Sequence, residues 1–322
     1  MSISIVSTLY HSREYIRPFY ERCRKVMEAA GLEYDFVFVN DGSPDDSVEV
    51  AAALTETDDR VAVVDLSRNF GHHKAMMAGL QHATGEHVFL IDVDLEEPPE
   101  CFERLWETYR NHEADVAFAV QPVRHGPAMH DVAGRLYYWV FNHLSEIPME
   151  NNQLTARVMS RRYVDALLEH REEVFSIEAI WSATGFVQIP VAVEKAEHKG
   201  VSTYTFSKKM ALVINAITAY SSRPLNMVAW FGIIMTLGSF LYIGVVLFQY
   251  LFLGWRVDGY TSLIISIWLV GGLVLFNLGI VSTYLAVIFR EVKRRPYVLV
   301  RQVIRSQSAA ADTQSHEHRH QK

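Results

Sequence analysis

Two long segments without charged residues constrain the fold of this chain more than any other feature. Residues 228–253 and 263–289 contain no Asp, Glu, Lys or Arg. As helices they would each extend about 39 to 40 Å at ~1.5 Å per residue, which is enough to cross the hydrocarbon core of a bilayer with tilt. A buried helical hairpin in a soluble protein is the alternative, and we favour a two-helix transmembrane hairpin.

The charges around this hairpin predict its orientation. The connecting loop is short and neutral, whereas basic residues flank the hairpin on both outer sides: Arg223, Arg290, Lys293, Arg294 and Arg295. The positive-inside rule therefore places both flanks, both termini and the N-terminal domain in the cytoplasm. Residues 208–220 have an amphipathic pattern, and residues 291–305 carry two further arginines. We expect both to form interfacial helices.

Residues 1–205 predict a separate soluble domain in which strands alternate with helices. Five strands are expected at residues 2–9, 34–40, 61–66, 87–91 and 115–120, with helices at 15–30, from a capping box at Ser43 through 54, at 72–81 and at 98–110. This alternation indicates an α/β fold with a doubly wound, mostly parallel sheet. Ligands of such sheets bind at the carboxyl ends of the strands. The domain has neither a glycine-rich dinucleotide loop nor a P-loop.

An apolar strand ends abruptly in carboxylates at residues 89–100, FLIDVDLEEPPE. Asp92 and Asp94 are two residues apart, so in extended backbone they point to the same side and can share one hard cation. Mg²⁺ or Mn²⁺ would relieve their repulsion and bridge to the phosphates of a nucleotide. The alternative is an acidic turn that only caps the following helix. Asp41 and Arg68 also follow strands, so all four side chains are expected on one rim.

Composition excludes some other classes of protein. The net charge of −7 disfavours a general nucleic-acid binder, which needs a basic face. Cys23 and Cys101 lack metal-ligand spacing and indicate reduced cytosolic thiols. The apolar run at residues 3–9 is too short for a signal peptide. The polar tail from residue 306 to residue 322 is expected to be disordered.

Three motifs carry a family resemblance in their order and spacing. NDGS at 40–43, RNFG at 68–71 followed by AGL at 78–80, and DVDLEEPP at 92–99 resemble family 2 glycosyltransferases of GT-A, Rossmann-like fold. The chain looks most like the polyprenyl-phosphate hexose transferases, which include the bactoprenol glucosyltransferases and dolichol-phosphate mannose synthase. The resemblance implies inverting, Mg²⁺- or Mn²⁺-dependent hexose transfer from a nucleotide sugar, UDP-glucose first, to undecaprenyl or another polyprenyl phosphate. It places this reaction on the cytoplasmic face of the inner membrane.

The resemblance also implies roles for particular residues and partners. Asp94 and Arg68 would be catalytic, and the metal would be held by Asp92, Asp94 and Glu96. The product would serve cell-envelope or lipopolysaccharide modification, with a flippase, a downstream glycosyltransferase and a homotetramer as expected partners. The nucleotide sugar would contact Thr8, Tyr10, Asn40, Asp41, Arg68 and Asp92, and the acceptor phosphate would contact Arg124, Arg135, Arg157, His198 and Lys199.

Two rival functions remain open at this point. A processive polysaccharide synthase is disfavoured because the chain has no Gln-x-x-Arg-Trp motif and only two candidate spans. A catalytically silent scaffold that binds nucleotide sugar is disfavoured by the intact Asp92, Asp94 and Arg68. His72 and His73 stand at a predicted helix start, where we interpret them as surface or capping residues.

Overall fold

The computed structural model describes residues 1–121, 152–172, 175–195, 223–253, 259–293 and 295–306. These residues fall into two compact units. The first unit contains residues 1–121, 152–172, 175–195 and 295–306, and the second contains two long helices within residues 223–293. The first unit therefore combines segments that precede the helical pair in the sequence with one that follows it.

A mixed sheet is the framework of the first unit, and eight of its strands lie within the described residues. The strands are β1 Ser2–Leu9, β2 Glu33–Asn40, β3 Val61–Leu66, β4 His87–Leu90, β5 Val116–Val120, β6 Gln153–Ser160, β7 Gln188–Ala192 and β8 Val300–Arg305. Their order across the sheet is β7-β5-β6-β4-β1-β2-β3-β8. Strand β1 is parallel to β2 and β4, β2 to β3, and β5 to β7, whereas β6 and β8 run antiparallel to their neighbours. The predicted mostly parallel sheet is confirmed.

Helices follow the strands in the α/β alternation that the sequence predicts. The first helix ends at Gly31, which adopts the left-handed conformation with φ 64° that only glycine reaches at little cost. The helix predicted from residue 98 begins instead at Cys101, whose amide bonds the carbonyl of Pro98. The helices of this unit are α1 Arg13–Ala30, α2 Ser47–Thr55, α3 His72–His82, α4 Cys101–Asn111, α5 Arg161–Leu168 and α6 Ile177–Ala183.

Aromatic side chains from the sheet and its covering helices form the core. Phe36 and Phe38 stack with an interplanar angle of 9°, and Phe19 of α1 meets Phe38 edge-on. Phe89 of β4 packs against Phe102 of α4 in the same way. All five are at most 1% exposed. Because burying one such side chain stabilises by about 1.5 to 3 kcal/mol, this cluster fixes the strands whose ends form the rim.

The C-terminal segment corrects one prediction. An interfacial helix was expected over residues 291–305, but the helical pair ends at Val292 and Val300–Arg305 forms strand β8. Strand β8 pairs antiparallel with β3, which would otherwise be an unpaired edge of the sheet. The β-branched Val300, Val303 and Ile304 suit this pairing, and covering a sheet edge satisfies its free backbone groups.

The second unit consists of α7 Arg223–Leu253 and α8 Tyr260–Val292. Both helices are long and apolar enough to cross a membrane, with windows of mean hydropathy 1.5 at Leu225–Tyr242 and 2.1 at Ser266–Val292. Large side chains such as Trp230, Phe240 and Trp268 are exposed on them, unlike those of a buried helical hairpin. The interfacial helix expected at residues 208–220 and the tail at 307–322 lie outside the described residues.

Candidate active site at the carboxyl ends of the strands

The acidic turn after β4 brings its carboxylates to the carboxyl rim of the sheet. Asp94 is half-buried, and its Oδ1 accepts a hydrogen bond of 3.0 Å from the amide of Glu96. Between them Leu95 adopts a φ of 61°, so the backbone reverses sharply here. Burial, followed by the nearby charge of Asp92, raises the pKa of Asp94. The turn thus concentrates negative charge that neighbouring cations compensate only in part.

Asp92 is held by side chains from two other elements, β6 and α3. Thr155 of β6 donates a hydrogen bond of 2.8 Å to Asp92 Oδ2, and His72 Nε2 lies 3.3 Å from Asp92 Oδ1. His72 Nδ1 lies in turn 3.0 Å from Thr8 Oγ1 at the end of β1. His72 therefore links two strand ends, which the expected surface or capping role did not include. The motif could not reveal this contact, because it joins residues far apart in the chain.

Glu97, which the sequence did not single out, joins the acidic turn to β6. Its carboxylate accepts hydrogen bonds from the amides of Thr155, at 3.0 Å, and Ala156, at 2.6 Å. Glu97 is only 2% exposed. Burial, and then the charge of Asp92, raise its pKa to about 7. Glu97 thus fixes the orientation of the strand that also presents Thr155 to Asp92.

Glu96, which was expected as a third metal ligand, forms an ion pair in the structure, and its metal role stays a prediction. Its Oε2 pairs with the ammonium of Lys195, three residues beyond the end of β7. Lys195 is part-buried, and this pairing raises its pKa against the opposing effect of burial. The ion pair uses one of the two carboxylate oxygens of Glu96. Lys195 is another residue of the rim that the sequence did not single out.

The remaining carboxylates fit a divalent cation in their chemistry. Within the part of the chain that the structure describes, no group of three or more His, Cys, Asp or Glu side chains could hold a metal ion by itself. Asp92 and Asp94 supply hard oxygen donors of the kind that Mg²⁺ and Mn²⁺ prefer. A Mg²⁺ site commonly uses one or two carboxylates and completes its octahedron with phosphate and water oxygens.

Arg68 belongs to a loop whose backbone amides are hydrogen-bonded to Asp41. Asp41 is 3% exposed, and its two carboxylate oxygens accept hydrogen bonds from the amides of Phe70, at 2.7 Å, and Gly71, at 3.0 Å. Burial raises the pKa of Asp41, although these amides oppose the effect. The guanidinium of Arg68 is exposed and lies 4.2 Å from the ring centroid of Phe70. Asp41 was expected to hold the nucleobase or ribose, and its observed partners are the loop amides.

The other residues expected to bind the nucleotide sugar divide into buried and exposed ones. Asn40 is buried, donates 2.8 Å to Asp65 Oδ1 and accepts 3.1 Å from the amide of Ser43, so it supports the rim from inside. Thr8 is buried against His72. Tyr10, at the end of β1, is 51% exposed. Of the residues expected to bind the nucleotide sugar, Tyr10, Arg68 and Asp92 are therefore accessible.

The prediction that Arg157 meets the acceptor phosphate is corrected. Arg157 is 0% exposed, and its guanidinium carbon lies 3.0 Å from the ring centroid of Trp181. It donates to the carbonyls of Thr155 and Leu154, at 3.2 and 3.0 Å, and burial lowers its pKa to about 9. A phosphate cannot reach it without opening the core. The other residues assigned to the acceptor lie outside the described residues: Arg124, Arg135, His198 and Lys199.

The mixed, mostly parallel sheet and the Asp-x-Asp turn at its carboxyl rim fit the GT-A-like fold that the sequence motifs imply. The chain belongs to glycosyl transferase family 2, whose family model matches residues 4–164. The family resemblance of the three sequence motifs is thereby confirmed, and the chain is a glycosyltransferase enzyme. The match includes the Asp41, Arg68 and Asp92 segments.

Relatives are similar over nearly the whole chain. A Mycobacterium tuberculosis protein whose name describes it as a glycosyltransferase is 39% identical over 303 residues. These residues cover 94% of this chain and 88% of that protein. The SfII prophage-derived bactoprenol glucosyl transferase of Shigella flexneri is 33% identical over 309 residues, covering 94% of this chain and 98% of its own. Among solved structures, mannosyltransferase PcManGT from Pyrobaculum calidifontis, in complex with GDP-Man and Mn²⁺, has a TM-score of 0.48 at 15% identity. The structural alignment covers 67% of this chain and 63% of the mannosyltransferase chain.

Proposed function

We propose that this enzyme transfers glucose from UDP-glucose to undecaprenyl phosphate or a similar polyprenyl phosphate and releases the nucleoside diphosphate. The observation that carries the proposal is the similarity to a bactoprenol glucosyl transferase over 94% of this chain and 98% of that protein. This match is too long to be confined to the catalytic domain. A lipid phosphate is an acceptor that an enzyme with two apolar helices can meet at a membrane surface.

The donor would bind across the rim at the strand ends. Asp92 and Asp94 would hold Mg²⁺ or Mn²⁺, and that cation would stabilise the negative charge of the leaving diphosphate. Arg68 would lie beside the same diphosphate, because its guanidinium is exposed and its loop is fixed by Asp41. Tyr10 offers an exposed aromatic ring to the nucleobase.

The chemistry needs no general base. A phosphate monoester has its second pKa near ~6, so the acceptor is already mostly ionised at neutral pH. One of its oxygens would form a bond to the anomeric carbon while the bond to the diphosphate breaks and its electron pair leaves with the diphosphate. Attack from the opposite face inverts the anomeric centre, so an α-linked donor gives a β-linked product. The acceptor roles of Arg124, Arg135, His198 and Lys199 stay predictions.

Connectivity supports placing both ends of the helical pair on one side of the membrane. Strands β1 to β7 precede α7 and α8 in the chain, and β8 follows them in the same sheet. If each helix crosses the bilayer once, the chain returns to the side from which it started. The basic residues at both outer flanks then assign that side to the cytoplasm of a bacterial inner membrane.

Membranes that contain the enzyme should convert radiolabelled UDP-glucose and undecaprenyl phosphate into a chloroform-soluble, mild-acid-labile monosaccharide lipid. Chelation with EDTA should abolish the product, because without a cation the two carboxylates would repel the leaving diphosphate rather than stabilise its charge. Excess Mg²⁺ or Mn²⁺ should restore it. Thin-layer chromatography of the organic phase measures both effects, with membranes that lack the protein as the control.

The same assay separates the rival functions. A growing polymer would favour a processive synthase, and no product with any of a panel of nucleotide sugars would favour a silent scaffold. A monosaccharide lipid formed from another nucleotide sugar would change only the donor. Full activity in EDTA would contradict the metal site.

A further inference from the structure

Strand β8 contacts the end of β3 immediately before Arg68. The amide of Ser67 donates a hydrogen bond of 2.9 Å to the carbonyl of Leu299. The guanidinium of Arg301 donates through one nitrogen to the carbonyl of Ser67, at 2.8 Å, and through the other to Asp65 Oδ2, at 3.2 Å. Both backbone polar groups of Ser67 are therefore held by the segment that follows the second apolar helix.

A bulge in the strand pairing explains why Arg301 reaches this position. Asp65 pairs with Gln302 and Leu66 pairs with Val300, so Arg301 is an extra residue without a direct partner on β3. A β-bulge bends its strand and redirects a side chain that regular alternation would point elsewhere. Here the redirected side chain reaches both Asp65 and Ser67.

The contact with Asp65 anchors the arginine in a buried network. Asp65 is 2% exposed, and its other oxygen accepts a hydrogen bond of 2.8 Å from Asn40. A buried carboxylate must be paired or hydrogen-bonded to stay charged in the interior. Arg301 supplies the positive charge that pairs with Asp65. Its planar guanidinium also donates in two fixed directions at once. The guanidinium thus ties the Ser67 carbonyl to a point that the core of the sheet holds rigidly.

The Arg68 loop is consequently held on both sides of Arg68. Arg301 and Leu299 fix Ser67 before it, and Asp41 fixes the amides of Phe70 and Gly71 after it. The described contacts of the Arg68 side chain are local, to Phe70 and to the carbonyl of Asn69 at 3.4 Å. Its position is therefore set by the backbone of the loop.

We propose that β8 is a functional part of the nucleotide site and that Arg301 is a positioning residue, which fixes the position of Arg68. The inference rests on the proposed function for the identity of the donor and for the place of Arg68 beside its diphosphate. The chain that leaves the second apolar helix then has a second role beyond covering the sheet edge, because it supports the loop that meets the diphosphate.

Arg301→Ala in the full-length chain, purified in detergent, tests the proposal. Without nucleotide, hydrogen exchange at the amides of residues 66–72 should accelerate by about tenfold or more, because the loop loses its support on the Ser67 side. Exchange in β5 should not change. With UDP-glucose and undecaprenyl phosphate, the KM for the donor should rise by about tenfold, and the KM for the acceptor should change less than about twofold.

Two further variants make the outcome decisive. Gln302→Ala, at the neighbouring exposed position, should behave as the unchanged enzyme, whereas Arg301→Lys should fail to restore the donor KM because an ammonium lacks the planar guanidinium. Unchanged exchange at residues 66–72 in Arg301→Ala, or a smaller active fraction with both KM values unchanged, would overturn the proposal. Full rescue by lysine would also overturn it, leaving only charge compensation. If the unaltered enzyme does not use UDP-glucose, the proposed donor fails, and the exchange measurement still decides the role of Arg301.

Discussion

Asp94→Asn should reduce sugar transfer by on the order of a thousandfold, the largest effect that we expect from any single substitution. The asparagine oxygen can still accept the hydrogen bond that Asp94 Oδ1 receives from the amide of Glu96, so the turn should keep its shape. What is lost is one of the two charges that would hold the cation. The rate of glucosyl-lipid formation by the purified enzyme, at saturating Mn²⁺, measures the effect.

Asp59→Asn is the matched control for this substitution. Asp59 is an exposed aspartate of the same catalytic unit, beyond α2, so the change removes one carboxylate charge there as well. We expect it to leave the rate within about twofold. The thermal unfolding midpoint of Asp94→Asn should not fall, since burial already disfavours the charged form of Asp94. Residual activity above about a tenth of the unaltered rate would show that the cation is held elsewhere.

Gly42→Ala should destabilise the catalytic unit and disable its site together. Gly42 adopts a φ of +61°, and a Cβ atom there would lie 2.4 Å from the amide nitrogen of Asn69 and 2.5 Å from the carbonyl carbon of Arg68. The left-handed conformation costs alanine about 1 to 2 kcal/mol, and the overlap adds about 1 to 3 kcal/mol. Because the overlapping atoms are backbone, relief requires the Arg68 loop to move. We expect a thermal unfolding midpoint lower by roughly 5 to 15 °C and a loss of transfer activity.

Gly31→Ala separates these two causes. Gly31 has nearly the same φ, +64°, but a Cβ atom there would meet nothing within 4 Å. Its substitution should cost only the conformational part, about 1 to 2 kcal/mol, and leave the transfer rate unchanged. Equal effects of the two substitutions on stability and rate would contradict the close approach of the Asn40–Ser43 turn to the Arg68 loop.

The sequence was sufficient for features that depend on neighbouring residues. The run of β-branched and aromatic residues in β2, the spacing of Asp92 and Asp94, and the glycine that ends α1 are all local signals. They predicted the first five strands, the first four helices and the carboxyl rim. The two apolar helices were equally visible, because the length of an uncharged segment is a property of the segment itself.

Contacts between distant parts of the chain could not be predicted in this way. Residues 300–305 alternate in a manner open to either an interfacial helix or a strand, and only the free edge of β3 decides for the strand. Arg157 resembles a ligand-binding arginine in the sequence, yet Trp181 and the core cover it. The ion pair of Glu96 with Lys195 could not be predicted because the two residues lie far apart in the chain.

A structure of the full chain with UDP and Mn²⁺, with the metal located by its anomalous scattering, would show whether Asp92 and Asp94 hold the cation. We expect one manganese ion within about 2.0 to 2.6 Å of carboxylate oxygens of both Asp92 and Asp94, bridging to the diphosphate of UDP beside Arg68. Nucleotide bound away from the carboxyl ends of β1 to β4, or manganese that touches neither aspartate, would contradict it.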